Sequence, residues 1–232
     1  MTTFRPIPST GFMPLAAVFD LDHTLIAGDA TIGWTEYLYE RGVVTDPAYR
    51  EINERMKASY GAGTLDIAAW LREAVPAYSH LDKDRRNALV DDFIKEKIRP
   101  IAYPQGLETI RAAKAAGMLT LIVSASNAFF VRPIAERIFG VDEALGTELI
   151  VRNGRITPEL AGTPTFQEGK VARLCAALEH RGLCPAETVF FTDSRNDLPL
   201  AFAAGDCVAI NPDPVLLEAA RQHGWIVNEW SL

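Results

Sequence analysis

The segment Val18-Phe19-Asp20-Leu21-Asp22-His23-Thr24-Leu25 sets two carboxylates two residues apart, where an apolar run ends and turn-forming residues begin. Residues 15–19 read as a short buried strand, and side chains two apart on extended backbone share a face. Two acids at the rim of a sheet repel each other unless a cation lies between them. A hard divalent metal such as Mg²⁺, with one carboxylate free to attack an electrophile, accounts for the pair. A solvated acidic turn accounts for it equally well on this segment alone.

At 232 residues the chain has room for one large α/β domain, or for a core carrying a smaller insert. Apolar residues make up 48% and charged residues 23%, ordinary for a globular protein, which argues against disorder. The net charge of −7 and the absence of a basic run argue against a nucleic-acid surface. An acidic protein that binds an anion then needs local positive charge, which a metal and one lysine can supply. Cys175, Cys184 and Cys207 show no zinc spacing and read as reduced thiols. Residues 1–14 hold three prolines and no apolar signal core, and read as a loosely tied tail. No window approaches membrane-spanning length, so a cytoplasmic protein is expected.

From about residue 30 to 100 the texture is helical. Trp34, Leu38 and Arg41 share a face of a helix ending near Gly42. Asp46-Pro47 opens a second helix reaching residue 60, and Gly61-Ala62-Gly63-Thr64 separates a third. Asp82 starts a fourth, running to about residue 97. Alternation begins at Pro104: helix to 117, strand 118–123, helix 129–139 with Pro133 near its start, and a hairpin over 148–157 turning at Asn153-Gly154. Helix 167–181, strand 188–192, helix 196–204, strand 207–210 and helix 213–223 follow. Such a series predicts a parallel sheet with helices on both faces, and a ligand outside the carboxyl ends of the strands.

The polar clusters fall at those ends. Ser124 follows the second strand, and it is either a helix cap or a hydrogen-bond donor to an anion. Lys170 lies at a helix start, where a cation is unfavourable, so it either faces carboxylates or an anion, or is simply exposed. Asp193 and Asp197 end the third strand, four residues apart.

Asp20-x-Asp22-x-Thr24, Ser124, Lys170 and Asp193-x-x-x-Asp197 resemble the four motifs of the haloacid dehalogenase superfamily, in its phosphoserine-phosphatase-like branch. The resemblance covers nearly the whole chain after residue 14. It implies a Rossmann-like three-layer α/β core over 15–28 and 101–232, with an all-helical cap domain inserted over 29–100. It implies a Mg²⁺-dependent phosphatase with a small phosphomonoester as substrate. Asp20 would be the nucleophile and Asp22 the general acid and base. Asp20, the backbone carbonyl of Asp22, and Asp193 would hold the metal, with Asp197 bonding its water shell or Lys170. Ser124 and Lys170 would bind the phosphoryl oxygens, and Asn127 is placed with them. His23 is given no role.

Asp29 occupies the place of an acid that faces the substrate amine in that branch; as an N-cap for the next helix it has a second, compatible use. Leu25-Ile-Ala-Gly-Asp29, Phe129-x-x-x-Pro-Ile-Ala-Glu-Arg137, Phe166-Gln-x-Gly-Lys170 and Asn211-Pro-Asp-Pro214 resemble bacterial histidinol-phosphate phosphatases. Histidinol phosphate is therefore the lead substrate and phosphoserine the runner-up. Trp34, Tyr37, Tyr60 and Phe129 are candidates for a pocket around an imidazole, each with helix packing as the alternative. A phosphotransferase would use the same nucleophile with another acceptor.

Overall fold

One short strand separates the two apolar layers of the core. In the computed structural model, which describes residues 13–232, β1 (Ala16–Phe19) is buried along its whole length. Ala17 and Phe19 join one apolar cluster, Ala16 and Val18 another, as a strand covered on both faces requires. The expected tail over 1–14 lies, except for its last two residues, outside the described residues.

Four helices follow β1 without an intervening strand: α1 (Ala30–Glu40), α2 (Ala48–Ala62), α3 (Ile67–Ala74) and α4 (Lys83–Phe93). The chain then alternates through α5 (Pro104–Ala115), β2 (Leu119–Asn127), α6 (Ala128–Ile134) and β3 (Glu143–Thr147). A hairpin of β4 (Leu149–Arg152) and β5 (Arg155–Leu160) leads into α7 (Glu168–Glu179), β6 (Thr188–Thr192) and α8 (Leu198–Ala203). β7 (Asp206–Ile210), α9 (Pro214–His223) and β8 (Ile226–Asn228) complete the described chain. The main sheet runs β3-β2-β1-β6-β7-β8 with every pair parallel. Strand order reverses between β1 and β6, which opens the crevice where ligands of such sheets bind. Phe19 and Phe191 stack across that junction, 4.5 Å between ring centroids.

The helical insert leaves and re-enters the core through a narrow neck. Ala27 N–H donates to the Ile101 carbonyl at 2.7 Å and Tyr103 N–H to the Leu25 carbonyl at 2.9 Å. These bonds pair the two crossing segments as a short antiparallel bridge.

Several elements depart from the sequence reading. Two strands, β3 and β8, were not foreseen. β3 reads Glu-Ala-Leu-Gly-Thr and carries no β-branched run; pairing with β2 makes it a strand. Its Gly146 is obligatory, because a Cβ there would lie 2.7 Å from the backbone of Ala128. β2 also extends past Val123 to Asn127, so Ser124 lies inside the strand and is not a helix cap. Pro133 sits in the sixth position of α6, and the helix widens into a π-turn over 135–139 directly after it; proline cannot donate the ladder bond that a regular helix needs there.

Trp34 and Tyr37 are also reassigned. Both are almost wholly buried and pack with Phe93, Phe129 and Phe130. This aromatic group joins the base of the insert to α6 of the core and is not part of the lining of the cavity beside Asp22 and Asp29. Trp34→Ala should therefore cost about 3–5 kcal/mol of stability in urea unfolding; a loss under about 1 kcal/mol would return Trp34 to a solvent-reachable pocket wall.

Candidate active site

Sheet geometry delivers the charged groups to one place. Asp20 follows β1, its N–H donating to the Phe191 carbonyl at 2.9 Å, and Asp193 follows β6 at the adjacent strand end. Lys170, third residue of α7, extends its ammonium between these loops. Its Nζ lies 2.8 Å from Asp20 Oδ1 and 2.8 Å from Asp197 Oδ2, with all three residues fully or nearly fully buried. The sequence-level anomaly of a lysine at a helix start is thereby explained: two carboxylates outweigh an unfavourable helix dipole. Thr192 Oγ1 donates to Asp197 Oδ2 at 2.6 Å and Thr24 Oγ1 to Asp193 Oδ1 at 3.2 Å.

Charge is unbalanced here. Burial, reinforced by repulsion from Asp197, Asp22 and Asp193, holds the Asp20 carboxyl well above its usual range despite the pull of Lys170. Burial and Asp197 do the same to Asp193. Burial depresses Lys170, but Asp197 and Asp20 reverse this and keep it above the ordinary lysine value. Asp20 Oδ2 is buried and accepts no hydrogen bond. A divalent cation fits that orphan oxygen and the surplus of acid. No three His, Cys, Asp or Glu side chains among the described residues form a ready-made metal cluster, so such a cation would complete its shell with backbone carbonyl and water. Mg²⁺ characteristically keeps several waters.

Asp22 turns to a different set of partners. Its Oδ1 accepts from Ala30 N–H at 2.6 Å, and its Oδ2 from the hydroxyls of Ser124 at 2.9 Å and Ser126 at 2.8 Å. Thr31 Oγ1 lies 2.7 Å from Ser126 Oγ. Sequence reasoning missed Ser126 and Thr31. Ser126 was findable, because it stands two residues beyond Ser124 and so on the same face of a continued strand.

Asp22, Asp29, Thr31, Ser126 and Asn127 line one cavity, roofed from the insert by Met56, Tyr60, Leu65, Ile67 and Trp70. Its volume is about 30 Å³, room for two or three waters at most. Asp29 caps α1, accepting from Ile32 N–H at 2.8 Å, and also faces this space. Burial and the nearby Asp22 push its carboxyl up to about 7. Of the expected aromatic wall residues Tyr60 is present, whereas Trp70 was not foreseen. Burial, then Asp20, Asp197, Asp193 and Asp22, raise the Tyr60 phenol well above its normal value, so it stays protonated. His23 is exposed and is not among the residues that line this cavity. All three cysteines are free thiols.

The residues over 17–201 match the family model described as haloacid dehalogenase-like hydrolase. The chain belongs to that family. It is a phosphatase-type member of the haloacid dehalogenase-like hydrolases. A histidinol-phosphatase of Neisseria meningitidis is 35% identical over 91% of this chain and 96% of its own length. The phosphoserine phosphatase SerB1 of Mycobacterium tuberculosis is 27% identical, covering 94% of this chain and 71% of that protein. Among solved structures, a Bordetella pertussis protein of unknown function superposes with a TM-score of 0.84 at 36% identity, over 91% of this chain and 96% of that one. A substrate-bound phosphoserine phosphatase shares the fold, with a TM-score of 0.68 at 22% identity over 93% and 92% of the two chains. Family members of this kind generally use Mg²⁺. Among the described residues, no helix of this hydrolase is long and apolar enough to cross a membrane.

The buried lysine yields a signed prediction. Lys170→Met should destabilise the metal-free protein by about 3–5 kcal/mol near neutral pH. Asp20 and Asp193 have folded-state pKa values above their unfolded ones, so the native state binds more protons and stability falls as pH rises through the raised values. Lys170→Met raises Asp20 further, so its deficit should widen as pH rises through the range in which wild-type Asp20 ionises, followed by melting experiments with EDTA across the pH range of stable folding; a deficit that stays equal at every pH would contradict the charge balance described.

Proposed function

We propose that the protein hydrolyses the phosphate monoester of a small amine-bearing alcohol through an aspartyl-phosphate on Asp20, with L-histidinol phosphate as the lead substrate. The observation that carries the chemistry is the Asp20–Lys170–Asp197 bridge beside an unpartnered Asp20 oxygen. A carboxylate and a dianionic ester repel, and the Lys170 ammonium offsets that repulsion where the two meet.

Asp20 attacks phosphorus, and the bond from phosphorus to the leaving oxygen breaks. Asp22 gives that oxygen its proton, then takes one from the water that attacks the phosphoryl-aspartate, releasing phosphate and restoring both carboxyls. Ser124 and Lys170 hold the phosphoryl oxygens, with Asn127 beside them. Ser124 already donates to Asp22, so its hydroxyl needs only to turn to serve the ester. Asp20, Asp193 and the backbone carbonyl of Asp22 would hold Mg²⁺, with Asp197 on its water shell or Lys170, and the ion would supply positive charge opposite the developing negative charge.

The leaving group occupies the cavity under the insert. Its lining combines the carboxyl groups of Asp22 and Asp29 with hydroxyls, one amide and the apolar surfaces of Met56, Leu65, Ile67 and Trp70. An ammonium and a flat ring match that lining, whereas a substrate carboxylate would meet like charge. This favours histidinol phosphate over phosphoserine, in keeping with the histidinol-phosphatase relative.

In Mg²⁺-dependent phosphate-release assays, kcat/KM for L-histidinol phosphate should exceed that for O-phospho-L-serine at least ~100-fold, about the cost of one unpaired buried charge. Asp20→Asn should abolish both activities. Equal or reversed preference would keep the mechanism and overturn the substrate.

Asp29 adds a pH test. Its raised carboxyl must ionise to accept an ammonium, so kcat/KM for histidinol phosphate should climb as pH rises through about 7. Asp29→Asn should flatten that limb and raise KM, while the pH profile of p-nitrophenyl phosphate hydrolysis stays the same in both proteins. An unchanged profile in the variant would remove Asp29 from amine recognition.

A further inference from the structure

Gln167 precedes α7 with φ 49° and ψ −123°. Gly169 N–H closes the turn on the Phe166 carbonyl at 2.8 Å, and Gln167 holds the first corner of a type II′ arrangement. That corner favours glycine, since a side chain there crowds the backbone. A turn needing only its shape would carry glycine; a strained residue held in place points to work done by its side chain.

The side chain reaches across to the insert. Gln167 Nε2 donates to the Gly63 carbonyl at 3.1 Å and approaches Asn196 Oδ1 at 3.4 Å. Asn196 Nδ2 donates to the Tyr60 carbonyl at 3.0 Å and an Arg195 guanidinium N–H to the Gly61 carbonyl at 3.3 Å. Three core side chains thus take up carbonyls at and just past the C-terminal end of α2, where backbone acceptors run short of helical donors; the Tyr60 carbonyl also accepts from Gly63 N–H at 3.0 Å. The same turn delivers Lys170, whose N–H donates to the Gln167 carbonyl at 3.0 Å. Arg195 and Asn196 lie in the loop between Asp193 and Asp197.

We propose that Gln167 is a positioning residue: its amide latches the end of α2 over the acid cluster and so ties closure of the insert to the loops that carry Lys170 and Asp197. A cavity of about 30 Å³ must open to admit a metabolite, and the latch is the contact that opening breaks and closing restores. The proposal rests on phosphatase activity and not on the choice of amine substrate.

Gln167→Gly and Gln167→Ala separate the latch from the turn. Both lack the amide, and glycine relieves the backbone. With Mg²⁺ present, each should raise KM for L-histidinol phosphate roughly 5- to 10-fold, the worth of one hydrogen bond, with kcat within about two-fold of wild type. Amide exchange across residues 60–64, measured with Mg²⁺ and inorganic phosphate, should quicken in both variants. Gln167→Gly should nonetheless melt about 2–4 °C above Gln167→Ala. Wild-type KM and wild-type exchange in Gln167→Gly would overturn the proposal and leave Gln167 with a purely structural turn. If histidinol phosphate is not hydrolysed by the wild type, the substrate reading fails, and the exchange rates alone still decide the latch.

Discussion

Lys170 brings one buried positive charge to Asp20 and Asp197, and the geometry around β1 and β6 depends on it. Without that ammonium, carboxylates at adjacent strand ends would repel and draw in water. A buried ion pair gains little net stability, because desolvation offsets most of the attraction. Here burial comes first and the surplus of neighbouring carboxylates second in holding the Asp20 and Asp193 carboxyls above their usual range. A site so arranged stabilises the fold poorly, and on the proposed function its surplus acid and its buried ammonium serve an arriving cation and phosphoryl group. Natural proteins commonly trade stability for function in this way.

The parallel sheet makes the cluster possible. Asp20 and Asp193 leave neighbouring strands at the point where strand order reverses, and Asp22 reaches Ser124 and Ser126 on the next strand, β2. Two hydroxyls spaced two apart on one strand face serve one carboxylate. Above them the insert closes the site with Tyr60 and Trp70, while its base is fastened to α6 through Trp34 and Phe93. The molecule therefore has an aromatic, tightly packed side and a hydrogen-bonded far side, where Gln167, Asn196 and Arg195 meet the end of α2.

Much of this was legible in the chain. The charged residues at strand ends stand where periodicity and turn signals place them, and the four strand-free helices between β1 and α5 match the predicted insert. What escaped depends on tertiary pairing. β3 has the composition of a loop and becomes a strand by bonding to β2. Trp34 and Trp70 look alike as aromatic positions on helices, yet one is core and the other roofs the cavity, since helical spacing does not say which apolar surface a face will meet. Gln167 stands in the Phe166-Gln-x-Gly-Lys170 stretch, yet its positive φ and its contact were not legible, because they depend on the turn and on a partner over a hundred residues away.

The central claim is that Asp20 becomes phosphorylated during turnover. The most direct test is to quench the enzyme in acid during steady-state hydrolysis of L-histidinol phosphate with Mg²⁺ and to map the modified peptide by mass spectrometry. The account predicts one phosphoryl group on the peptide containing Asp20, at Asp20 itself, appearing and decaying at rates compatible with turnover. A phosphoryl group on another side chain, or active turnover in Asp20→Asn with no covalent adduct, would contradict it.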